Sequence, residues 1–248
     1  MLIERHSPSA CNLFAASPAM FVLERIMGLK QPVGVPAHRG VAVEDGVAHA
    51  LSKPVDGGNI EGVEADAIQI AFTKYDTLTA MSPDDRREKY RATIPEMVSQ
   101  VIEELRHYGV PSKTQGFIEW RPEGLRLPIV GYYDFYWEDK GIVVDLKTTE
   151  KMPSSIKITH ARQVSFYAMS DNMDARLCYV TPKKCQTYQL ENIREHREAL
   201  LQIALRVERF LALSDDPQFF LDITAPDLDS FYWSGPQARQ LAYEHWRI

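Results

Sequence analysis

The chain has 248 residues, 45% of them hydrophobic and 25% charged, which is the composition of an ordinary folded domain and not of a disordered segment. No apolar run reaches the roughly 20 residues that span a bilayer, and the first residues lack the basic and apolar regions of a secretory signal, so neither a membrane protein nor a secreted one is expected. The net charge of −6 argues mildly against nucleic acid as a partner, and bound cations would offset the charge of a carboxylate-rich metal site.

The cysteines and the basic residues carry two further expectations. Three cysteines without a metal-binding spacing predict a reducing, cytoplasmic location. Local basic side chains could contact phosphate in spite of the acidic total, and simple solvation is the expected role of most of them. They are Lys113, Arg121, Arg126, Lys151, Lys157, Arg162, Lys183 and Lys184.

The N-terminal fifth of the chain predicts helices. Ser7 or Ser9 can cap a first helix, and the break at Ser17-Pro18 separates it from a second short one. A loop rich in proline and glycine is expected over residues 30–37. A further helix is predicted after it and runs to Leu51.

The next segment predicts more helices and a first strand. Apolar residues at helical spacing favour a helix over 61–80, and Ser82-Pro-Asp-Asp85 is a start signal for the following one. Helical spacing continues over Thr93–Tyr108. Thr114–Trp120 alternates enough to be a strand. These helices are expected to flank a sheet.

Two β-rich runs then enclose a short polar turn, Glu138-Asp-Lys-Gly141, which is a hairpin signal. The second run is Ile142–Thr148. Side chains alternate between the two faces of a strand, so Asp145 and Lys147 are expected on one face. Leu146 is expected on the other face, in the core.

Acidic residues on strands that look buried need a physical reason, because an unpaired buried charge is costly. Asp134, on the first run, and Asp145 could together hold a hard divalent cation through their oxygens. Lys147 beside them could orient a water or stabilise charge on a phosphate. The alternative is a structural ion pair between Asp145 and Lys147.

A helix predicted over Ile158–Ser170 follows the hairpin. It carries Gln163 and Tyr167 at positions i and i+4, which share one helix face. Either residue could serve only helix packing. The remaining predicted elements are strands Arg176–Thr181 and Cys185–Leu190, a long amphipathic helix Glu191–Leu213, and an aromatic tail broken by prolines.

Gly131-Tyr-Tyr-Asp134, Asp145-Leu-Lys147 and Gln163-x-x-x-Tyr167 follow one another on a strand, a second strand and a helix. The combined pattern resembles the core of the PD-(D/E)XK nucleases. More narrowly, it resembles the RecB-type and lambda-exonuclease-like branches, which include phage exonucleases. Arg39-Gly-x-x-x-Glu44 resembles the helical motif that the lambda-exonuclease-like enzymes place beside the metal. The resemblance covers most of the chain and is weaker at its ends.

The resemblance implies an α/β fold with a restriction-endonuclease-like core, a mixed central sheet flanked by helices, and helical additions at both termini. One nuclease domain is expected over residues 1–248. Its parts would be a mostly helical segment (1–110), a catalytic sheet core (111–190), and a C-terminal helix and tail (191–248).

The resemblance also implies the site. The metal ligands would be Asp134, Asp145, the carbonyl of Leu146 and Glu44, with His38 and His49 as alternatives to Glu44. Lys147 would position and activate the attacking water, and Gln163 would orient that water or contact phosphate. The side chains expected to contact substrate are Tyr167, Arg162 and Lys151.

Mg²⁺ is the implied cofactor, and Mn²⁺ is expected to substitute for it. An iron–sulfur cluster, which some RecB-type nucleases carry, is not expected: Ser17 stands where its first cysteine would be, and no cysteine follows Cys185. The implied partners are DNA ends, double- or single-stranded, a single-strand annealing or binding protein, and a second copy of the chain. No membrane partner is expected.

The function implied is a metal-dependent DNA exonuclease of phage or bacterial recombination, repair or DNA degradation. Two alternatives stay open at this point. One is a non-catalytic DNA-binding or interaction protein that keeps the nuclease fold, because fold alone does not decide function. The other is an endonuclease of the same superfamily, which the Gln163-x-x-x-Tyr167 helix disfavours because that motif is typical of exonuclease branches.

Overall fold

The computed structural model describes residues 2–54, 60–168, 170 and 173–248. The chain divides into two compact units that are each built from separate stretches of sequence. The larger unit comprises Val33–Phe117 and Tyr132–Ile193, and the smaller comprises Met1–Pro32, Ile118–Gly131 and Arg194–Ile248. The expectation of a single nuclease domain over residues 1–248 stays a prediction.

Five described strands form one mixed sheet, and their order across the sheet is their order along the chain. They are β1 (Lys113–Trp120), β2 (Ile129–Trp137), β3 (Ile142–Thr148), β4 (Asp174–Val180) and β5 (Cys185–Gln189). Strand β3 runs antiparallel to β2 and parallel to β4, and β4 runs antiparallel to β5. A parallel pair needs a crossover connection, and a helix lies between β3 and β4.

Helices flank this sheet, so the predicted α/β arrangement is confirmed. The described helices of the two units are α1 (Pro8–Ala16), α2 (Pro18–Phe21), α3 (Val35–Leu51), α4 (Ile60–Thr79), α5 (Arg87–Arg91), α6 (Ile94–Leu105), α7 (Ile158–Tyr167), α8 (Ile193–Leu211), α9 (Pro217–Asp222) and α10 (Pro236–Trp246), and those that pack on the sheet are α3, α6 and α7. A turn of π-helix, Val22–Ile26, continues α2. Across the described ranges, no helix combines the length and apolar character needed to cross a membrane.

The element boundaries differ from the predicted ones in ways that have local causes. Ser7 is the cap of α1, because its Oγ accepts a hydrogen bond from the Ala10 N–H at 3.2 Å. The loop predicted over 30–37 is wrong for its last residues, since α3 already begins at Val35 with a proline in its first turn, where no N–H is required. Helix α7 ends at Tyr167 and not at Ser170, because Ala168 is extended.

The core of the larger unit lies between one face of the sheet and helices α3, α4 and α6. Val43 and Val47 of α3 and Met97 of α6 pack with Phe135 and Leu146 of the sheet. Full burial of each such side chain contributes about 1.5–3 kcal/mol. The prediction that Leu146 points into the core is confirmed, and this orientation places its two neighbours on the opposite face of β3.

The aromatic tail belongs to the smaller unit, where it packs against the N-terminal helices. Trp233 is fully buried among α1, α2 and α10, and its Nε1–H donates to Ser17 Oγ at 3.2 Å. Trp246 packs edge-on against Trp233, with 5.7 Å between ring centroids. These two tryptophans of the tail therefore serve packing within the smaller unit.

Candidate active site

Strand β3 carries the central acid and base of the site. Asp145 is 1% exposed, and Lys147 Nζ lies 2.6 Å from its Oδ2. The two residues are on one strand face, as the alternation predicts. Asp145 Oδ1 has no hydrogen-bond donor among the described residues. A buried carboxylate oxygen in that condition is unusual and indicates either strain or a ligand site.

Asp134 is held at the neighbouring strand. The register of β2 and β3 pairs Trp137 with Ile142 and Phe135 with Val144. Just beyond that pairing, the Leu146 N–H donates to Asp134 Oδ2 at 2.6 Å. The Asp134 carboxylate, and not a backbone carbonyl, is therefore the acceptor for the N–H group that follows Asp145.

Helix α3 brings Glu44 to the same end of β3 because of the residues before it. A Cβ added to Gly40 would lie 3.1 Å from Thr148 Oγ1, so glycine allows the helix to approach the strand closely. The buried Arg39 reaches past the end of β3, and its Nη2 donates to Glu150 Oε1 at 2.7 Å. The Arg39-Gly40 pair thus fixes the helix against the strand that carries Asp145.

The electrostatics show that these groups act on one another. Burial, followed by the negative charges of Asp145 and Glu44, raises the pKa of Asp134 well above its ordinary value. Burial, with the charge of Asp145 adding to it, also raises the pKa of Glu44. Burial opposes the charge of Lys147, but the carboxylates of Asp145 and Asp134 outweigh it and raise the pKa of the ammonium group. Lys147 is therefore cationic at neutral pH.

The chemistry of this donor set fits a hard divalent cation. Carboxylate and carbonyl oxygens are the ligands that Mg²⁺ and Mn²⁺ prefer. The unpartnered Asp145 Oδ1 and the mutual repulsion of three acids are both relieved by a bound cation. Within the described ranges, no group of three or more His, Cys, Asp or Glu side chains could hold an ion as it stands. The structure therefore offers the ligand types, with side chains that would still have to converge.

Helix α7 packs against β3 and β4 and carries the predicted Gln163 and Tyr167. Gln163 Nε2 donates to Tyr167 Oη at 2.9 Å, so the two residues share a face as expected. Tyr167 is 3% exposed, and its pKa is raised by burial and then by the charge of Asp145. Arg162 is half-buried on this helix, whereas Lys151 is exposed in the segment after β3. The substrate contacts of Tyr167, Arg162 and Lys151 stay predictions.

Two residues near the site were not singled out from the sequence. His160 Nδ1 is 2.7 Å from Tyr179 Oη, and burial followed by the charges of Lys147 and Lys157 lowers its pKa to about 4. Its position three residues before Gln163 was the available signal. Gln115 Nε2 donates to Glu44 Oε1 at 3.1 Å, and nothing in the sequence marks this exposed residue of β1.

Comparison with known proteins agrees with this architecture. A sequence profile of the PD-(D/E)XK nuclease superfamily matches residues 5–222. No curated protein sequence matches the chain. The crystal structure of a protein from Eubacterium rectale, named a "putative exonuclease", superposes with a TM-score of 0.59 at 13% identity, covering 85% of this chain and 81% of that one. The structure of SSO0001 gives a TM-score of 0.36 at 16% identity, covering 74% of this chain and 91% of that chain.

Proposed function

This chain belongs to the PD-(D/E)XK nuclease superfamily, and from that premise we propose that it is a metal-dependent exonuclease that hydrolyses DNA from its ends. The proposal rests on two buried acids, Asp134 and Asp145, together with the cationic Lys147. Lys147 shares one face of β3 with Asp145. A purely structural ion pair would not require a second buried acid whose charge the fold disfavours.

The choice of exonuclease rests on two supports. The Gln163-x-x-x-Tyr167 pair on α7 resembles the exonuclease branches, including the RecB-type and lambda-exonuclease-like ones. The similar fold from Eubacterium rectale carries the name of an exonuclease, although at 13% identity it supports only the fold directly. We place the activity in the cytoplasm, in recombination, repair or degradation of phage or bacterial DNA.

Asp134, Asp145, the Leu146 carbonyl and Glu44 would hold Mg²⁺, with Mn²⁺ as a substitute. A bound ion supplies Lewis-acid stabilisation of the negative charge that develops on the phosphate. The Leu146 N–H orients Asp134, and Gly40 sets the distance of the Glu44 helix from β3. The backbone thus holds the strands and the helix that carry the carboxylates close together, and the side chains would converge on the ion.

In spite of burial, the carboxylates of Asp145 and Asp134 raise the pKa of Lys147, and in this proposal its ammonium group positions and activates the attacking water. Its ammonium group donates hydrogen bonds to the attacking water or to a phosphate oxygen, which places the water in line with the scissile bond. Asp145 in turn holds Lys147 at 2.6 Å. Substitution of Lys147 should slow the chemical step because the group that positions the water is lost. Substitution of Asp145 should slow it because a metal ligand is lost.

In this proposal the residues of α7 act on the water and the phosphate and do not bind the metal. The Gln163 amide orients the attacking water or contacts phosphate, and Tyr167 packs behind it through their shared hydrogen bond. The burial of Tyr167 favours packing over direct contact with the DNA backbone. Arg162 and Lys151 supply positive charge for the phosphates, at the helix and at the exposed segment after β3.

The test is an incubation of end-labelled linear, nicked and closed-circular DNA with the protein and Mg²⁺, with and without excess chelator. We expect stepwise loss from linear ends, none from closed circles, and no cleavage after chelation. Mn²⁺ should support the reaction, whereas Ca²⁺ should bind without efficient turnover. Cutting of closed circles would indicate an endonuclease, and DNA binding without any cleavage would indicate a non-catalytic protein. Undiminished cleavage in chelator would contradict the metal dependence.

A further inference from the structure

The contact between Gln115 and Glu44 joins the edge strand β1 to the candidate metal site. Gln115 Nε2 lies 3.1 Å from Glu44 Oε1 and 3.4 Å from Asp45 Oδ1. An amide NH₂ has two donor hydrogens, so it can serve two carboxylates at once. Asp45 is itself held by Lys74, whose Nζ is 2.8 Å from Asp45 Oδ2. A chain of polar contacts therefore runs from Lys74 to the carboxylate of Glu44.

The backbone of β1 is strained at this residue. Gln115 has a φ of +50°, in the left-handed region that is unfavourable for a residue with a Cβ. Glycine or asparagine would adopt this backbone conformation more easily than glutamine does. Strain of this kind persists where the surroundings impose it, and it clusters at functional sites.

The neighbouring residue, Gly116, shows how this segment of β1 packs. A Cβ added to Gly116 would lie 2.1 Å from Tyr133 Cζ, so the tyrosine ring lies directly against the strand backbone. Tyr133 is itself buried, and its ring contacts that of Tyr167 at a centroid distance of 6.5 Å. The packing of β1 against Tyr133 thus holds the segment that directs the Gln115 side chain to Glu44.

We infer that Gln115 is a positioning residue that holds the Glu44 carboxylate in place for a divalent cation. The inference rests on the proposed function, because it concerns the same metal site. Glu44 is half-buried on a helix and would otherwise be free to change rotamer. Hydrogen-bond partners behind metal ligands orient the ligand, and their loss typically costs about 10–100-fold in metal affinity.

The experiment measures Mn²⁺ affinity by calorimetry for the wild type, Gln115→Gly, Glu44→Gln and the double variant. Gln115→Gly removes the amide and relieves the backbone strain, so we expect about 10–100-fold weaker Mn²⁺ binding with unchanged or higher resistance to urea. Thr114→Ala, at the adjacent exposed position of β1, is the control and should bind like the wild type. If the glycine variant does not fold, Gln115→Asn serves instead, because it tolerates a positive φ and is too short to reach Glu44.

The double variant decides whether Gln115 acts through Glu44. We expect it to bind Mn²⁺ no more weakly than Glu44→Gln alone, because the residue that Gln115 holds is already altered. A fully additive loss, or wild-type affinity in Gln115→Gly, would overturn the inference and leave the proposed function intact. A wild type that neither binds Mn²⁺ nor cleaves DNA would overturn both.

Discussion

Two carboxylates of this molecule with little exposed surface, Glu208 in the smaller unit and the more deeply buried Asp134 in the larger, have opposite electrostatic character. The exposed fraction is 7% for Glu208 and 9% for Asp134, although Asp134 lies deeper below the surface. Each accepts hydrogen bonds from backbone N–H groups. Yet the pKa of Glu208 is lowered and the pKa of Asp134 is raised from their ordinary values.

The surroundings of Glu208 explain its lowered pKa. Burial works against its charge, but the N–H groups of Arg126 and Leu127 donate to it at 2.8–3.1 Å and outweigh that effect. His6 Nε2 lies 3.3 Å from Glu208 Oε1, and burial lowers the pKa of this histidine, so it is neutral and acts as a hydrogen-bond partner. The fold thus stabilises the negative charge of Glu208 with hydrogen bonds.

Asp134 has one such donor and two neighbouring acids instead. The Leu146 N–H at 2.6 Å does not compensate for burial and for the charges of Asp145 and Glu44. The contrast teaches that burial alone does not identify a functional acid. A buried acid with other acids around it carries a negative charge that a bound cation would stabilise.

The largest expected difference between the two regions is in catalysis. Lys147→Ala should lower DNA cleavage roughly a hundredfold or more, because the attacking water loses its positioning group. Glu208→Gln should leave cleavage per folded molecule unchanged. Single-turnover cleavage of end-labelled DNA, normalised to the folded fraction by circular dichroism, measures both. An equal loss of cleavage in the two variants would contradict the proposed difference between the two regions.

A smaller difference is expected in stability, and it has the opposite sign. Glu208→Gln should cost roughly 1–3 kcal/mol of unfolding free energy, because buried N–H groups lose a charged acceptor. Asp134→Asn keeps an oxygen for the Leu146 N–H and removes repulsion, so it should be neutral or stabilising at pH 8. Urea unfolding of the two variants and the wild type provides the measurement. Strong destabilisation by Asp134→Asn would mean that Asp134 is structural.

The smallest effect is the pH dependence of these stability differences, with slopes below about 1.4 kcal/mol per pH unit. The lowered pKa of Glu208 stabilises the fold above its ordinary value of 4.5, and this contribution is lost as the pH falls. The raised pKa of Asp134 means that the fold binds its proton more tightly than the unfolded chain does, so wild-type stability falls as the pH rises above 3.8.

The two variants should therefore respond to pH in opposite directions. The deficit of Glu208→Gln relative to the wild type should shrink on acidification, whereas any advantage of Asp134→Asn should grow as the pH rises. Urea midpoints for the three proteins between pH 4 and pH 8 would show it. Parallel pH profiles would contradict the opposite signs of the two pKa shifts.

The sequence was informative where the physics is local. The alternation of a strand was enough to place Asp145 and Lys147 on one face and Leu146 in the core. The close approach that Gly40 permits was implied only by resemblance, and the structure supplies its physical reason at Thr148.

The remaining features depend on contacts between distant parts of the chain. The pairing of His6 with Glu208 joins residues 202 positions apart, and no periodicity encodes it. Gln115 has a positive φ, and the next residue, Gly116, packs against Tyr133 on another strand. The Leu146 N–H donates to Asp134 only because of the register of β2 and β3, and this register is a tertiary property.

The central claim, that Asp134 and Asp145 form a metal site and not a structural ion pair with Lys147, is tested most directly by calorimetric titration with Mn²⁺. The wild type should bind, and Asp145→Asn should bind more weakly because a ligand charge is gone. Lys147→Ala should bind at least as tightly as the wild type, since a repelling cation has been removed. Loss of Mn²⁺ binding in Lys147→Ala with retention in Asp145→Asn would contradict the account.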